Sequence, residues 1–224
     1  MINIGCRIKQ DFARPSRELI EAFRGIPVAN IDDCVNRMAA IDSSIRPMNK
    51  VPLLGCALTV KVPEGDNLMF HAAMDLIQPG DVVMIDAGGC GSRSIFGELM
   101  LAYCRKKGCA GVVVDGAIRD AGAISEMDIP VYAKAVSPNG PYKNGPGEIN
   151  YPISIGGVIV HPGDIVVGDT DSVLVICPEE AEELAKAARA VLEKETKIME
   201  GIMCGEYPRP WVNVKLKELG CVIE

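Results

Sequence analysis

The adjacent residues Arg119 and Asp120 carry the clearest chemical signal in this sequence. They follow the apolar run 110–115, which predicts a buried strand, and ligands of α/β folds collect at the carboxyl ends of strands. A guanidinium offers a planar fork to a carboxylate or an enolate, and an aspartate offers a hard oxygen to Mg²⁺ or Mn²⁺. Taken alone, the pair is explained at least as well by a surface ion pair or a helix cap.

The glycine-rich segment DAGGCGSRSIFGEL, residues 86–99, is the second candidate. The apolar run 81–86 predicts a strand that enters these glycines and then the start of a helix. Such a geometry leaves backbone N–H groups free to bind a carboxylate or a phosphate, although a tight turn that needs glycine for positive φ explains the same pattern. Glu98, at the predicted helix start, either holds a water and moves a proton or only stabilises the helix dipole.

Other chemistries lack their motifs. No Gly-Lys-Ser/Thr follows the glycines, so the segment is not a Walker loop, and Ser94 stands where a dinucleotide fingerprint has its third glycine. A nucleotide- or S-adenosylmethionine-dependent transferase is therefore the weaker alternative. His71 and His161 lack ligand spacing, and no GxSxG elbow is present. The polar residues of segment 61–67 either line the same cleft or cap the next helix.

The composition narrows the class of protein. With 23 Lys and Arg against 30 Asp and Glu, the net charge is -7, which argues against non-specific binding of DNA or RNA. The nine cysteines contain no CxxC pair, so we expect free thiols, with Cys90 as the one candidate for reactivity. No segment reaches the roughly 18 apolar residues of a membrane span, and we expect a soluble, cytoplasmic protein.

The elements that must position these residues follow from periodicity and turn signals. Helices are predicted at 15–25, 30–38, 65–77, 96–108 and 178–203, with a further helix in the tail 211–224. Strands are predicted at 55–61, 81–86, 110–115 and 130–136, followed by three short runs in series that suggest a β-meander or a barrel-like closure. Segment 87–94 is predicted as a loop, and segment 137–151 is predicted as an ordered loop or a long hairpin connection. The alternation of strands and helices implies crossover connections and an α/β fold with a β-rich second half.

The segments GDNLMFHAAMDLIQPGDVVMIDAGG, FGELMLAYCRKKGCAGVVVDGAIRDAGAI, PVYAKAVSPNGP and GGVIVHPGDIVVGDTDSVLVI together resemble the RraA-like family. The resemblance covers about residues 27–180, and GEL followed by DGAIRD is its most specific part. The family includes 4-hydroxy-4-methyl-2-oxoglutarate and 4-carboxy-4-hydroxy-2-oxoadipate aldolases and regulators of ribonuclease activity. Some members have carried a demethylmenaquinone methyltransferase label.

The resemblance implies a role for particular residues. The arginine that contacts the keto or enolate oxygen of the substrate falls on Arg119, and the aspartate that binds the metal falls on Asp120. An acidic residue that holds a water falls on Glu98. The backbone that binds the carboxylate of the 2-oxo acid corresponds to Gly97, Glu98, Leu99 and Met100.

The resemblance also implies an architecture and an activity. We expect a compact α/β/β domain over residues 1–180 with a central β-sandwich or barrel-like core. A helical extension over 181–224 would pack on this core or on a neighbouring subunit of a homotrimer or hexamer. The implied activity is that of a lyase, dependent on Mg²⁺ or Mn²⁺, which releases pyruvate from 2-oxo acids and has a possible oxaloacetate decarboxylase activity. The alternative is a non-enzymatic regulator that binds a protein partner such as a ribonuclease.

Overall fold

The structure is a computed structural model, and it describes residues 3–222. Its elements, in chain order, are β1 (Cys6–Ile8), α1 (Arg17–Glu21), α2 (Val28–Cys34), β2 (Arg46–Pro47), β3 (Leu53–Lys61), α3 (Leu68–Met74), β4 (Asp81–Phe96), α4 (Glu98–Lys106), β5 (Gly111–Ile118), α5 (Ala121–Ser125), β6 (Val131–Val136), β7 (Gly147–Ile149), β8 (Ile153–Ile155), β9 (Val158–Val160), β10 (Ile165–Gly168), β11 (Val173–Ile176), α6 (Pro178–Cys204) and α7 (Pro210–Glu218).

The centre of the fold is a nine-stranded mixed sheet in which β3, β4, β5 and β6 run parallel and side by side. Helices α3, α4 and α5 connect these strands, as crossover connections between parallel strands require. Their carboxyl ends therefore lie along one edge of the sheet. The other side of β3 is shared: its first half pairs with β10 and its last residues pair with β7.

Two cores lie on the two faces of this sheet. On one face, strand side chains pack with residues of the three connecting helices, among them Phe70, Leu101 and Ile124. On the other face, the β8–β9 hairpin contributes Ile153 and Ile155. The result is the α/β/β layering that the resemblance implied, and the α/β fold class is confirmed.

A third core joins α2 and the first turns of α6 to β10 and β11. In α6, the residues buried on this side are Ala181, Leu184, Ala185 and Ala188. Helix α6 therefore crosses the predicted boundary at residue 180 without a break. Among the described residues, no helix is both long and apolar enough to cross a membrane.

Several local predictions were wrong. Segment 87–94 is not a loop, because β4 continues through it to Phe96 with three register shifts against β5. The positive φ angles of Gly88 and Gly89 allow the irregular backbone there. The expected β-meander is absent from residues 3–222, since β9 pairs with β8 while β10 pairs with β11 and β3. The predicted tail helix is α7, and the last two residues of that prediction lie outside the described residues.

Candidate functional site

The ends of three parallel strands meet at the candidate site. The backbone N–H of Arg119, directly after β5, donates to the carbonyl of Phe96 at the end of β4, over 3.0 Å. The N–H of Ser137, directly after β6, donates to the carbonyl of Ile118 over 2.8 Å. The hydrogen bonds of the sheet thus hold the residues after β5 between the ends of its two neighbours.

Asp120 connects the end of β5 to the start of α4. Its backbone is left-handed, with φ 57° and ψ 34°, and it stands at the N-terminus of α5 without capping that helix through its side chain. Instead, its Oδ2 atom accepts a hydrogen bond of 3.1 Å from the N–H of Glu98. A left-handed backbone at a residue other than glycine is uncommon, and such residues cluster at functional sites. The conformation aims the Asp120 carboxylate at the first turn of α4.

Gly97, the N-cap residue of α4, is buried against this carboxylate. A Cβ atom at Gly97 would overlap Asp120 Oδ2 and would lie 2.9 Å from Arg119 Cγ. Only glycine therefore lets the chain pass this close to both side chains. Within the described part of the chain, no acceptor is found for the N–H groups of Leu99 and Met100, so the first turn of α4 presents two free donors.

Arg119 and Asp120 share an open cleft of about 310 Å³. Their side chains are 45% and 44% exposed, and Arg119 Nε lies 3.7 Å from Asp120 Oδ2. The pair is thus neither buried nor closed by a short hydrogen bond, and both charges are accessible to a small ligand. The remaining wall of the cleft consists of Val136, Ser137 and Pro138.

A larger groove of about 450 Å³ lies between α1 and α6, but it offers less to an anionic ligand. Its Lys186 is paired with Glu182 at 2.7 Å, and its Arg189 donates to the carbonyl of Ala22 at 2.9 Å. We therefore place the candidate site at Arg119 and Asp120.

The residues after β6 form a wall of the cleft that the sequence analysis missed. The N–H and the hydroxyl of Ser94 both donate to the carbonyl of Asn139, at 2.9 and 2.8 Å, and the Ser137 hydroxyl donates to the carbonyl of Ser92. Gly140 lies beside the Arg119 guanidinium. A signal was present, because the turn Pro-Asn-Gly follows a predicted strand at the same edge of the sheet.

The polar residues of segment 61–67 do not line this cleft. Lys61 pairs with Asp86 at 3.0 Å, and the two residues face each other on β3 and β4. Asp66 Oδ1 accepts from the N–H of Leu68 at the start of α3, which is the capping role weighed for this segment. Asn67 is buried beneath the first turn of α4.

The nine cysteines are all free thiols. Cys90 is half-buried in β4, with its Sγ atom 3.4 Å from Ser92 Oγ. This hydrogen bond lowers the pKa of the Cys90 thiol. Cys90 does not line the cleft of Arg119 and Asp120.

Among the described residues that line the cleft, Asp120 has the one acidic side chain, and it is the candidate ligand for a metal ion. Across residues 3–222, no group of three or more His, Cys, Asp or Glu side chains has the arrangement of a metal site. Mg²⁺, however, keeps several waters and needs only one or two protein carboxylates besides its substrate. The Asp120 carboxylate fits that requirement, because the N–H of Glu98 fixes one oxygen of an accessible group.

Comparisons with known proteins agree with this architecture. Residues 28–175 match a family model described as RraA-like, Aldolase/RraA. The chain is 41% identical over 173 residues to a provisionally named 4-hydroxy-4-methyl-2-oxoglutarate aldolase of Halalkalibacterium halodurans, which covers 77% of this chain and 82% of that protein.

Two solved structures share the fold. One is an uncharacterised protein of Pseudomonas syringae, with a TM-score of 0.77 and 21% identity, covering 87% of this chain and 96% of that one. The other is RraAS2 of Streptomyces coelicolor, described as an unusual member of the RNase ES inhibitor RraA family. Its TM-score is 0.72 at 27% identity, and the match covers 82% of this chain and 97% of that one.

Proposed function

This chain belongs to the RraA-like family, and we propose that it is a lyase that cleaves a carbon–carbon bond of a 2-oxo acid and releases pyruvate. One observation carries the proposal: Arg119 and Asp120 line one cleft, and the Asp120 carboxylate accepts the N–H of Glu98 at the start of α4. A cation and a carboxylate therefore line one small volume, and the start of α4 is joined to that carboxylate through the N–H of Glu98. The substrate that we propose is 4-hydroxy-4-methyl-2-oxoglutarate or a close analogue.

Negative charge on the keto oxygen dominates the barrier of this reaction. When the bond between C3 and C4 breaks, its electron pair moves to C3, the enolate of pyruvate forms, and the C4 hydroxyl loses its proton as C4 becomes a carbonyl carbon. Arg119 would place its guanidinium beside the enolate oxygen, where a fixed positive charge stabilises the transition state more than the substrate. Its 45% exposure leaves it accessible for that contact.

The first turn of α4 would bind the carboxylate of the 2-oxo acid. The N–H groups of Leu99 and Met100 have no acceptor within the described chain. Free N–H groups at a helix N-terminus attract an anion through hydrogen bonds and through the helix dipole. A carboxylate held there would bring the adjacent keto oxygen toward Arg119.

Asp120 would hold a divalent metal ion, Mg²⁺ or Mn²⁺. When bound, such an ion supplies Lewis acid chemistry to the keto oxygen and carboxylate of the substrate. Asp120 contributes a carboxylate whose direction is set by its left-handed backbone and by the N–H of Glu98. The Arg119 guanidinium lies 3.7 Å from the same carboxylate.

Glu98 would take part in proton transfer. It is exposed at the first position of α4, next to the proposed carboxylate site. Its side chain would hold a water that accepts the proton of the C4 hydroxyl and later returns a proton to C3 of the enolate. Since loss of CO₂ from oxaloacetate forms the same enolate, we also propose an oxaloacetate decarboxylase activity.

Release of pyruvate tests the proposal. The purified protein with Mg²⁺ or Mn²⁺ should release pyruvate from 4-hydroxy-4-methyl-2-oxoglutarate and from oxaloacetate, and excess chelator should abolish the release. Arg119→Ala should lower kcat/KM about 10²–10³-fold, the usual effect of removing one electrostatic donor. Asp120→Asn keeps an oxygen for the N–H of Glu98 but removes the charge, so it should fold normally and lose its response to metal.

Arg17→Ala is a control, because Arg17 is an exposed residue of α1, away from the cleft. Full activity of Arg119→Ala, or full activity of the wild type in excess chelator, would reject the proposal.

The second candidate is a regulator that acts through its surface. The likeness to RraAS2, which is described as a member of an RNase inhibitor family, favours it. A pulldown with a ribonuclease, with and without chelator, separates the two functions when it is run beside the pyruvate assay. Binding that persists in chelator, together with no pyruvate release, would favour the regulator.

We also propose that the protein is a cytoplasmic homotrimer or hexamer. The second half of α6 and α7 expose large apolar side chains, namely Met199, Ile202, Met203, Trp211 and Val214. Helix α7 buries none of its own residues in the single chain. A neighbouring subunit would cover this surface, and this is the role that we propose for the C-terminal extension.

A further inference from the structure

Asn67 joins the segments that form the site, although it does not line the cleft. The residue is 1% exposed. Its Nδ2 atom donates to the carbonyl of Ile95 over 2.8 Å and lies 3.3 Å from Met100 Sδ. Its backbone N–H donates to the carbonyl of Tyr142 over 3.0 Å. The side-chain amide of Asn67 thus touches the end of β4 and the first turn of α4, and its backbone N–H binds the loop after β6.

The contacts of the Asn67 side chain are made with residues next to the groups that we propose to bind the substrate. Ile95 stands two positions before Gly97, and the intervening Phe96 accepts the N–H of Arg119. Met100 supplies one of the two free N–H groups of α4. A displacement of Ile95 or Met100 would therefore move both the carboxylate site and the backbone that carries Arg119.

The amide is a poor choice for stability alone. Within the described residues, Asn67 Oδ1 is buried without a hydrogen-bond partner. A buried polar atom without a partner destabilises the folded state. The donor side of the amide makes the hydrogen bonds, and its two contacts lie at the end of β4 and in the first turn of α4.

We infer that Asn67 is a positioning residue for the proposed lyase reaction. It fixes the end of β4 against the first turn of α4, so that the N–H groups of Leu99 and Met100 meet the substrate carboxylate at the correct distance from Arg119. This inference rests on the proposed function, because it concerns the same site.

Asn150 provides a matched control. It is also 1% exposed, its Nδ2 atom donates to the carbonyl of Lys9 over 2.8 Å, and its Oδ1 atom likewise has no partner among the described residues. Its contacts lie at Lys9, directly after β1, and at Thr59 of β3, and none of these residues lines the cleft. Loss of a buried amide donor can therefore be compared at the site and far from it.

The experiment compares Asn67→Asp with Asn150→Asp in pyruvate release and in product inhibition by pyruvate. Aspartate has the size of asparagine but turns an oxygen toward the Ile95 carbonyl. We expect kcat/KM of Asn67→Asp to fall on the order of 10²-fold, mostly through a higher KM and weaker inhibition by pyruvate, since misplacing a binding group costs about that much. Asn150→Asp should lower thermal stability and leave both constants unchanged.

A second variant separates stability from positioning. Asn67→Leu removes the donor and the unpartnered oxygen together without burying a charge, so it should be more stable than Asn67→Asp and still bind pyruvate poorly. Wild-type KM and pyruvate inhibition in Asn67→Leu would overturn the inference. Unfolding of both Asn67 variants at assay temperature would also overturn it, since the role would then be purely structural.

Hydrogen–deuterium exchange tests the positioning role of Asn67 even if the protein proves not to be a lyase. In Asn67→Asp, amides of residues 95–103 should exchange at least about fivefold faster than in the wild type, and Asn150→Asp should leave them unchanged. Inactive wild type with this faster exchange would reject the proposed reaction and keep the positioning role. Unchanged exchange in Asn67→Asp would overturn the positioning role itself.

Discussion

At the scale of residues, the site depends on the close contact between the Asp120 side chain and the backbone at the start of α4. Asp120 adopts a left-handed backbone, and its carboxylate lies against the backbone of Gly97 and Glu98. The strain of that backbone is offset by a hydrogen bond that also fixes the direction of the carboxylate. The chemistry that we propose therefore needs a glycine as much as it needs the two charged residues.

Gly97→Ala tests this approach. Its Cβ atom would overlap Asp120 Oδ2, so the carboxylate or the start of α4 must move. We expect pyruvate release to fall at least about 10²-fold, which is the usual cost of a displacement of about 1 Å at a catalytic group. The measurement is kcat/KM beside a thermal melt.

Gly122→Ala, in α5, is the control for Gly97→Ala, because no atom lies within 4 Å of the Cβ position there. Alanine favours helix over glycine by up to about 1 kcal/mol, so this variant should be as stable as the wild type or more stable, and fully active. Wild-type activity in Gly97→Ala would show that the close approach has no role.

At the scale of elements, the long strand β4 connects the two ends of the molecule. At its start, Asp81 is 1% exposed and accepts two hydrogen bonds from Arg14, of 2.8 and 2.9 Å. At its other end, Phe96 accepts the N–H of Arg119. The N-terminal segment is thus attached to the same strand whose far end builds the site.

Arg14→Ala should destabilise the fold by about 3 kcal/mol, because it leaves the buried Asp81 carboxylate without its charged partner. Arg24→Ala breaks an exposed pair with Glu21 and should cost much less, because solvent screens that pair. Denaturant titrations of both variants give the comparison. Equal losses of stability in the two variants would show that burial of Asp81 does not strengthen its ion pair with Arg14.

The turn between β9 and β10 should make stability depend on pH. Burial raises the pKa of the Asp164 carboxyl above its ordinary value, although the carboxylate accepts the N–H of His161. A raised pKa means that the folded state holds the proton more tightly than the unfolded chain. Its contribution to stability is therefore full below the unfolded pKa and lost as the pH rises through the folded pKa.

Asp164→Asn removes this titration and keeps an acceptor for the N–H of His161. The variant should melt at a higher temperature than the wild type at pH 7, and the difference should shrink in acid. Asp42→Asn should behave in the opposite way, because a hydrogen bond from the Ser44 hydroxyl lowers the pKa of the Asp42 carboxyl. Melting curves at pH 7 and pH 4 that show the same trend for both variants would contradict this account.

At the scale of the whole molecule, the C-terminal helices are incomplete as a single chain. Helix α7 has nine residues and buries none of them. Isolated helices of this length are marginal in water, so their stability must come from packing. The apolar side chains on α6 and α7 are exposed in the single chain, and a neighbouring subunit is the partner that we expect.

Light scattering on the eluting protein tests the assembly. The expected mass is three or six times the 23.9 kDa of the chain. A double variant with Trp211→Glu and Val214→Glu should shift the mass toward the monomer, because both side chains are exposed and would enter the interface. A wild-type monomer, or a double variant with unchanged mass, would refute this role of α7.

The sequence alone was enough to predict the parallel strands β3 to β6, the long helix α6, the α/β class and the family. These features depend on local apolar periodicity and on motifs such as DGAIRD, which are readable within a few residues. The same reasoning singled out Arg119, Asp120 and the start of α4, because ligands gather where strands end. Their roles in catalysis and in metal binding stay predictions.

Only the tertiary structure decided how these groups are arranged. The N–H of Glu98 meets Asp120, 22 residues away, and the buried amide of Asn67 meets Ile95, 28 residues away. No local pattern encodes such contacts, because they arise when the sheet aligns the ends of its strands. For the same reason, pairing with β5 carries β4 through glycines that locally indicate a turn.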